Sequence, residues 1–219
     1  MSRTAIVDRA LAVADLEGTD AVTVRRLAQE FGVTPMALYW HVKNKDELLG
    51  AMGDRFFDDV EPMPASGTWA DRLHTTVRSL VESLRQHPAS AHLSASRVLQ
   101  CPAGREIAED TLATLRAAGF SITQATDIAR TAMQTAVMLV TEQAGAEPGV
   151  PAEKRDAVRT AKHQAIAGLP PDRFPNLVDC AAAMTNCEDE QAYYDFGIDL
   201  FVAGVERLHA TLKRNTRKG

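Results

Sequence analysis

Apolar residues recur at Ile6, Val7, Ala10, Leu11, Val13 and Ala14 with polar and charged residues between them. That spacing predicts one helix over 4–17 with a single apolar face. Gly18 ends it. Thr23 then stands as the N-cap of a second helix that carries Leu27, Ala28 and Phe31 on one side. Gly32 follows at once and can supply the positive φ of a tight turn. Thr34 is the next N-cap, with Pro35 just inside the helix, where its missing N–H costs nothing. This third helix is short, about 35–41. Asn44, with Glu47 three residues on, predicts the start of a fourth helix whose apolar face is Leu48, Leu49, Met52, Phe56 and Phe57.

The stretch 60–68 breaks this order with two prolines and a glycine, and it is the best domain boundary in the chain. Beyond it, helical patterns run over about 69–87, 89–99, 103–118, 124–143, 152–167 and 189–213. Pro88, Pro102, Gly119 and Pro148-Gly149 punctuate them. Residues 168–188, with Pro170-Pro171 and Pro175, read as loosely structured. No alternating run is long enough for a strand, and no internal repeat is present. The expected fold is all-α: a three-helix helix-turn-helix domain over 1–59, then a helical bundle over 60–219.

Composition agrees with helix, since Ala and Leu are plentiful and aromatics make up only 5%. The formal net charge of −5 argues mildly against a nucleic-acid partner, and residues 1–59 hold 7 Lys/Arg against 10 Asp/Glu. Charge acts within a Debye length, however, so the placement of Arg25, Arg26, Lys43 and Lys45 matters more than the sum. No stretch approaches the roughly 18 apolar residues of a membrane span. The first residues are charged every few positions, unlike a signal peptide. The expectation is a cytoplasmic protein with no membrane partner. Cys101, Cys180 and Cys187 imply no disulfide framework.

The second and third helices match a helix-turn-helix. Leu27, Ala28, Val33 and Leu38 are spaced to form its internal contact, and Ala28 is small enough for close approach. The outer surface then carries Thr34, Pro35, Met36, Ala37, Tyr39, Trp40 and His41. A tyrosine, a tryptophan and a histidine there suit phosphates and sugars, to which their O–H and N–H groups donate. Arg25, Lys43 and Lys45 are placed for backbone phosphates, and the N-terminus of the fourth helix adds its dipole. Double-stranded operator DNA is the partner these residues imply. Trp40 packing on the fourth helix is the alternative.

The segment Thr23-Val24-Arg25-Arg26-Leu27-Ala28-Gln29-Glu30-Phe31-Gly32-Val33 and the run Leu38-Tyr39-Trp40-His41-Val42-Lys43-Asn44-Lys45, followed by Leu48-Leu49, resemble the tetracycline repressor family. The resemblance continues more weakly through Trp69, Gly119-Phe120-Ser121, Phe196-Gly197-Ile198-Asp199-Leu200 and Gly204-Val205-Glu206. It implies a homodimeric repressor that binds a palindromic operator and is released by a small-molecule inducer. It also implies that the helices near 124–143 and 189–213 build a four-helix bundle between two copies. The interface stripe would be Phe196, Leu200, Phe201, Val205 and Leu208, with Gly197 and Gly204 allowing close approach on a neighbouring face. Where the family's magnesium–tetracycline site has a histidine five residues before a proline, this chain has Arg97, which cannot ligate a metal. Glu142 matches the carboxylate that approaches the metal. An ion pair between Arg97 and Glu142, or their contact with a ligand's polar end, is expected instead, with no metal and no cofactor.

Thr76, Leu80, Arg97, Met133, Gln134 and Glu142 are the candidate ligand contacts, combining apolar with scattered polar groups as small-molecule sites do. Met138 and Met184 are further candidates, with core or dimer packing as the other reading. Glu206 and His209 form only half of a di-iron motif. Cys180 and Cys187 have no companion ligands at zinc spacing. His74, His87 and His92 have no partner pattern and read as surface residues. No nucleophile–base spacing, phosphate loop or complete metal set supports an enzyme. The chain reads as a transcriptional regulator, with a regulator that lacks an inducer as the alternative.

Overall fold

The computed structural model describes residues 2–147 and 150–216, and the break expected at Pro148-Gly149 lies outside them. The described residues form ten α-helices: α1 (Arg3–Glu17), α2 (Val24–Phe31), α3 (Pro35–Tyr39), α4 (Lys45–Asp58), α5 (Trp69–Leu84), α6 (Pro102–Ala117), α7 (Ile122–Thr141), α8 (Ala152–Ala167), α9 (Pro175–Thr185) and α10 (Glu190–Thr216). No strand occurs among them.

Local chemistry explains the ends of the first four helices. The Thr23 hydroxyl accepts from the Arg26 amide at 3.0 Å and opens α2. Gly32 closes it in the left-handed region at φ 63°, and the Val33 amide returns to the Ala28 carbonyl. Pro35 occupies the first position of α3. Asn44 caps α4 through the Glu47 amide at 2.7 Å, and the Glu47 carboxylate reaches back to the Lys43 amide at 2.9 Å. Further on, Thr68 with Asp71 and Ser121 with Gln124 form complete capping boxes for α5 and α7.

The apolar face read for α1 is buried in full, as are Leu27, Ala28, Leu38, Leu48, Met52, Phe56 and Phe57. Val33 differs: it lies past the turn and is exposed, and the internal contact is completed by Val42, which is fully buried. The core does not stop at the linker. One hydrophobic cluster runs from Ile6 through Phe57 and Leu73 to Val205. In the body, α5 lies at the centre, packed by α6, α7 and α10, while α8 and α9 pair with each other.

Two expectations need correction. No α-helix forms over 89–99. Pro88–Leu93 is a 3₁₀ turn that packs against α1, α4 and α7, and further turns follow it. There the Ser94 and Ser96 hydroxyls take the Ala91 and Leu93 carbonyls, at 2.6 and 3.3 Å. Such bonds compete with the helical ladder. The loosely structured stretch 168–188 contains α9, because Pro175 starts a helix rather than breaking one.

Several contacts join the first four helices to the body. The Ser83 hydroxyl donates to the Phe56 carbonyl at 2.5 Å. His87 meets Asp15 at 2.6 Å, and Arg155 donates to the Asp15 carbonyl at 2.6 Å. His87 and His74, read as unpartnered surface residues, are therefore both paired, His74 with Asp199 at 2.9 Å. Paired carboxylates lie within reach of both rings because the helices that carry them pack across the chain.

Candidate nucleic-acid interface and cavity

The surface of α3 and the turn after it carries large exposed side chains. Trp40 is 87% exposed, Met36 68% and Tyr39 46%. That exposure rules out the alternative of Trp40 packing on α4. Thr34 and Pro35 are exposed beside them, while Ala37 and His41 are half-buried. Thr34 makes no side-chain cap bond to α3, so Pro35 alone marks its start, and large apolar groups held in water on this short helix mark an interaction surface.

The cations around this face divide into two sets. Arg26 is bound to Glu17 at 2.7 Å and to Glu30, and Glu30 is bound in addition by Arg9. Glu17 and Glu30 raise the Arg26 pKa, while Arg9 and Arg26 hold Glu30 below the usual carboxylate range. Glu47 is held by Arg3 at 3.3 Å. Arg25 and Lys43 stay exposed, and the Lys45 ammonium donates only to the Asp20 carbonyl, at 3.3 Å. Glu17, Glu30 and Glu47 are thus spent on Arg3, Arg9 and Arg26, while Asp20 and Asp46 are exposed and make no ion pair among the described residues. The overall charge of −5 does not describe the face that α3 presents.

Behind α4, the body holds a partly open cavity of about 450 Å³. Thr76 and Leu80 of α5 and Met133 and Gln134 of α7 line it, with Val98, Leu99 and Thr111, and Phe57 from α4. Arg97 and Glu142 are not brought together. The Arg97 guanidinium makes a two-point pair with Asp54 of α4, at 2.7 and 3.0 Å, and Asp54 raises its pKa. Two glycines make room for it on α4: a β-carbon at Gly53 would lie 2.7 Å from the Arg97 side chain and 2.8 Å from the Leu93 carbonyl. Glu142 is the exposed C-cap of α7, outside the cavity wall. The sequence offers Asp54 as one of many helix-surface acids, and only the fold shows that it meets Arg97.

On α10, Phe196, Leu200 and Leu208 are 69%, 64% and 59% exposed, in line with Gly204, whose β-carbon would meet open space. Val205 is buried within the chain and Phe201 is half-buried against its core. The helix therefore has two apolar faces, and the predicted stripe mixed them. Gly197 belongs to the inner one, since a β-carbon there would lie 2.3 Å from Leu139 of α7. Met138 and Met184 are exposed, on α7 and α9. The free cysteines Cys101, Cys180 and Cys187 form no disulfide, and no group of metal-ligating side chains converges among the described residues.

An exposed short helix at one end of an all-helical chain and an apolar cavity behind it suit a ligand-responsive transcriptional repressor. The chain matches the sequence pattern of the bacterial regulatory proteins of the tetR family over residues 6–52 and that of the tetracyclin repressor-like C-terminal domain over residues 61–209. It belongs to the TetR family. An HTH-type transcriptional regulator of Saccharopolyspora erythraea is 27% identical, with 91% of this chain and 82% of that protein covered. The tetracycline repressor protein class C of Escherichia coli is 26% identical, with 96% and 93% covered. Among crystal structures, Streptomyces coelicolor ActR in complex with actinorhodin is similar at a TM-score of 0.71 and 31% identity, covering 95% of this chain and 98% of that one. A possible TetR family regulator from Streptomyces coelicolor A3(2) reaches 0.75 at 26% identity, covering 94% and 100%. No helix of the described residues is long and apolar enough to cross a membrane.

Proposed function

We infer that residues 1–59 read a palindromic operator in the cytoplasm, that 60–219 dimerise and bind an inducer, and that the role is regulatory rather than catalytic. Met36 and Ala37 are placed for base edges. Tyr39, Trp40, His41, Lys43, Lys45 and Arg25 are placed for the backbone, with Thr34 and Pro35 setting the approach of α3. The dimer forms on the outer face of α10, through Phe196, Leu200 and Leu208, together with α7. Its two-fold axis sets half-sites about one helical turn, ~34–36 Å, apart.

The inducer is a mid-sized, mostly apolar molecule in the cavity, where Thr76 and Gln134 supply polar contacts beside Leu80 and Met133. The observation that carries this reading is Phe57. It sits in the last turn of α4, the helix whose N-terminus adjoins the recognition face, and it forms part of the cavity wall. A ligand that moves Phe57 moves α4, and it shifts the DNA-binding equilibrium by its differential affinity for the two arrangements. ActR, similar in fold to this chain, was crystallised in complex with actinorhodin, which supports a small-molecule ligand here. Mg²⁺ is not needed, because Arg97 is a cation already held by Asp54.

The test is release of the protein from the DNA flanking its own gene by small apolar molecules, with and without Mg²⁺. Release without Mg²⁺ is expected, and it is blunted by Thr111→Trp, which fills the cavity. Release by tetracycline that depends on Mg²⁺ would overturn the metal argument. DNA binding that no cavity ligand alters would favour a regulator without an inducer.

A further inference from the structure

A second cavity of about 230 Å³ adjoins the apolar one, and the two chambers share Phe57, Thr76 and Ile107 as common wall. Their linings differ in kind. The larger chamber is apolar, with Arg130 at its edge already facing Asp127 at 3.4 Å. The smaller is bordered by Asp58 and Glu61 at the end of α4 and by Glu106 and Asp110 on α6. It has no cationic side chain in its wall. The guanidinium that acts on Asp58, that of Arg55, is held by Asp8 at 3.1 Å and Asp59 at 2.7 Å. Among the described residues none of the four carboxylates has an ion pair. Thr76, nearly fully buried between the chambers, donates to the Arg72 carbonyl at 3.0 Å and keeps its lone pairs as acceptors.

We propose that the inducer is an amphipathic organic cation, with an apolar body in the large chamber and an ammonium or similar group in the acidic one. This rests on the reading of the cavity as the inducer site. Charge complementarity selects the sign, because a carboxylate or phosphate on the ligand would face four like charges and a cation faces four unlike ones. Spread selects an organic cation over a metal ion, since no three of these groups converge on one point among the described residues. Burial and the neighbouring Asp59, Asp54 and Asp8 push the Asp58 carboxyl up, while Arg55 only partly offsets them. An added cation would relieve that repulsion. It would also draw α6 toward the end of α4, which gives the ligand a contact that differs between two arrangements of α4.

The test uses the full chain and three probes of one shape: 4-(1-naphthyl)butylamine, the corresponding alcohol and 4-(1-naphthyl)butanoate, each measured by titration calorimetry. The amine should bind about ten-fold or more tightly than the carboxylate, a factor equivalent to about 1.4 kcal/mol, with the alcohol between them. Added salt should narrow the gap. Glu106→Gln with Asp110→Asn, and separately Glu61→Gln, should bring the amine down to the alcohol and leave the alcohol unchanged. These positions are exposed, so thermal unfolding of the variants reports whether the fold is intact. Equal binding of all three probes, or a preference for the carboxylate, overturns the cation proposal and leaves the cavity reading standing. No binding of any probe at millimolar concentration overturns the cavity reading and this proposal with it.

Discussion

Arg25 and Arg26 are adjacent in the chain and opposite in use. Arg26 is locked between Glu17 and Glu30, whereas Arg25 and Lys43 are exposed, and the proposed role of Arg25 is a phosphate contact. Arg25→Ala should therefore flatten the salt dependence of operator binding by about 0.9 in log–log slope, the loss of one phosphate contact. Arg26→Ala should act on the stability of the first domain. Trp40→Ala removes a side chain that is 87% exposed, so it should leave the melting temperature unchanged. It should weaken operator binding by about ten-fold, about 1.4 kcal/mol, in fluorescence anisotropy. Asp58 carries the pH prediction. Its folded-state pKa is raised, by burial first and then by neighbouring carboxylates, so its charge opposes folding once the pH passes that value. Asp58→Asn should raise the melting temperature at pH 7, with the gain shrinking as the pH falls toward the unfolded value of about 3.9. Residues at this scale were legible where local rules decide them, as with Thr23, Gly32 and Asn44. Arg97 was not: its partner Asp54 is distant in sequence, and the match to the family's metal site pointed to Glu142 instead.

Elements were legible where one face is buried and one is solvated. The face of α1 emerged residue by residue, and that of α4 did so except for Leu49, which is half-buried. The last helix did not, because both of its faces are apolar and periodicity alone cannot say which one meets the chain's own core. The inner face holds Tyr194, Ile198, Val202 and Val205, and the outer one Phe196, Leu200 and Leu208. Leu200→Asp should convert the dimer to monomer in sedimentation velocity at micromolar concentration without unfolding it. Val205→Asp should instead unfold the chain. Residues 89–99 and 168–188 were misread for a shared reason, since serine and proline stop a helix in one setting and start or cap it in another. The irregular stretch that replaced a helix brings Arg97 onto α4. If this pair ties the body to α4, Arg97→Ala and Asp54→Asn should be non-additive by about 0.5–3 kcal/mol in a double-mutant cycle on ligand-driven release.

Across the whole molecule, the hydrophobic cluster that runs through the linker makes the reading helices and the cavity one mechanical object. α4 contributes Phe57 to the cavity wall, Asp54 to the pair with Arg97 and the Phe56 carbonyl to Ser83. On the proposed reading no separate sensor is needed, because the wall of the proposed ligand site is also the support of α4. All-helical architecture and the helix-turn-helix could be read from periodicity and caps. The cavity could not, since a void depends on which side chains fail to meet and leaves no mark in the order of residues. The most direct measurement of the central claim is a footprint and anisotropy titration of the full chain on the DNA flanking its own gene. The account predicts a protected site with dyad symmetry, bound in preference to unrelated DNA of the same length and lost together with Tyr39→Ala, Trp40→Ala and Lys45→Ala. Binding with no sequence preference, or a site whose affinity survives all three substitutions, would contradict it.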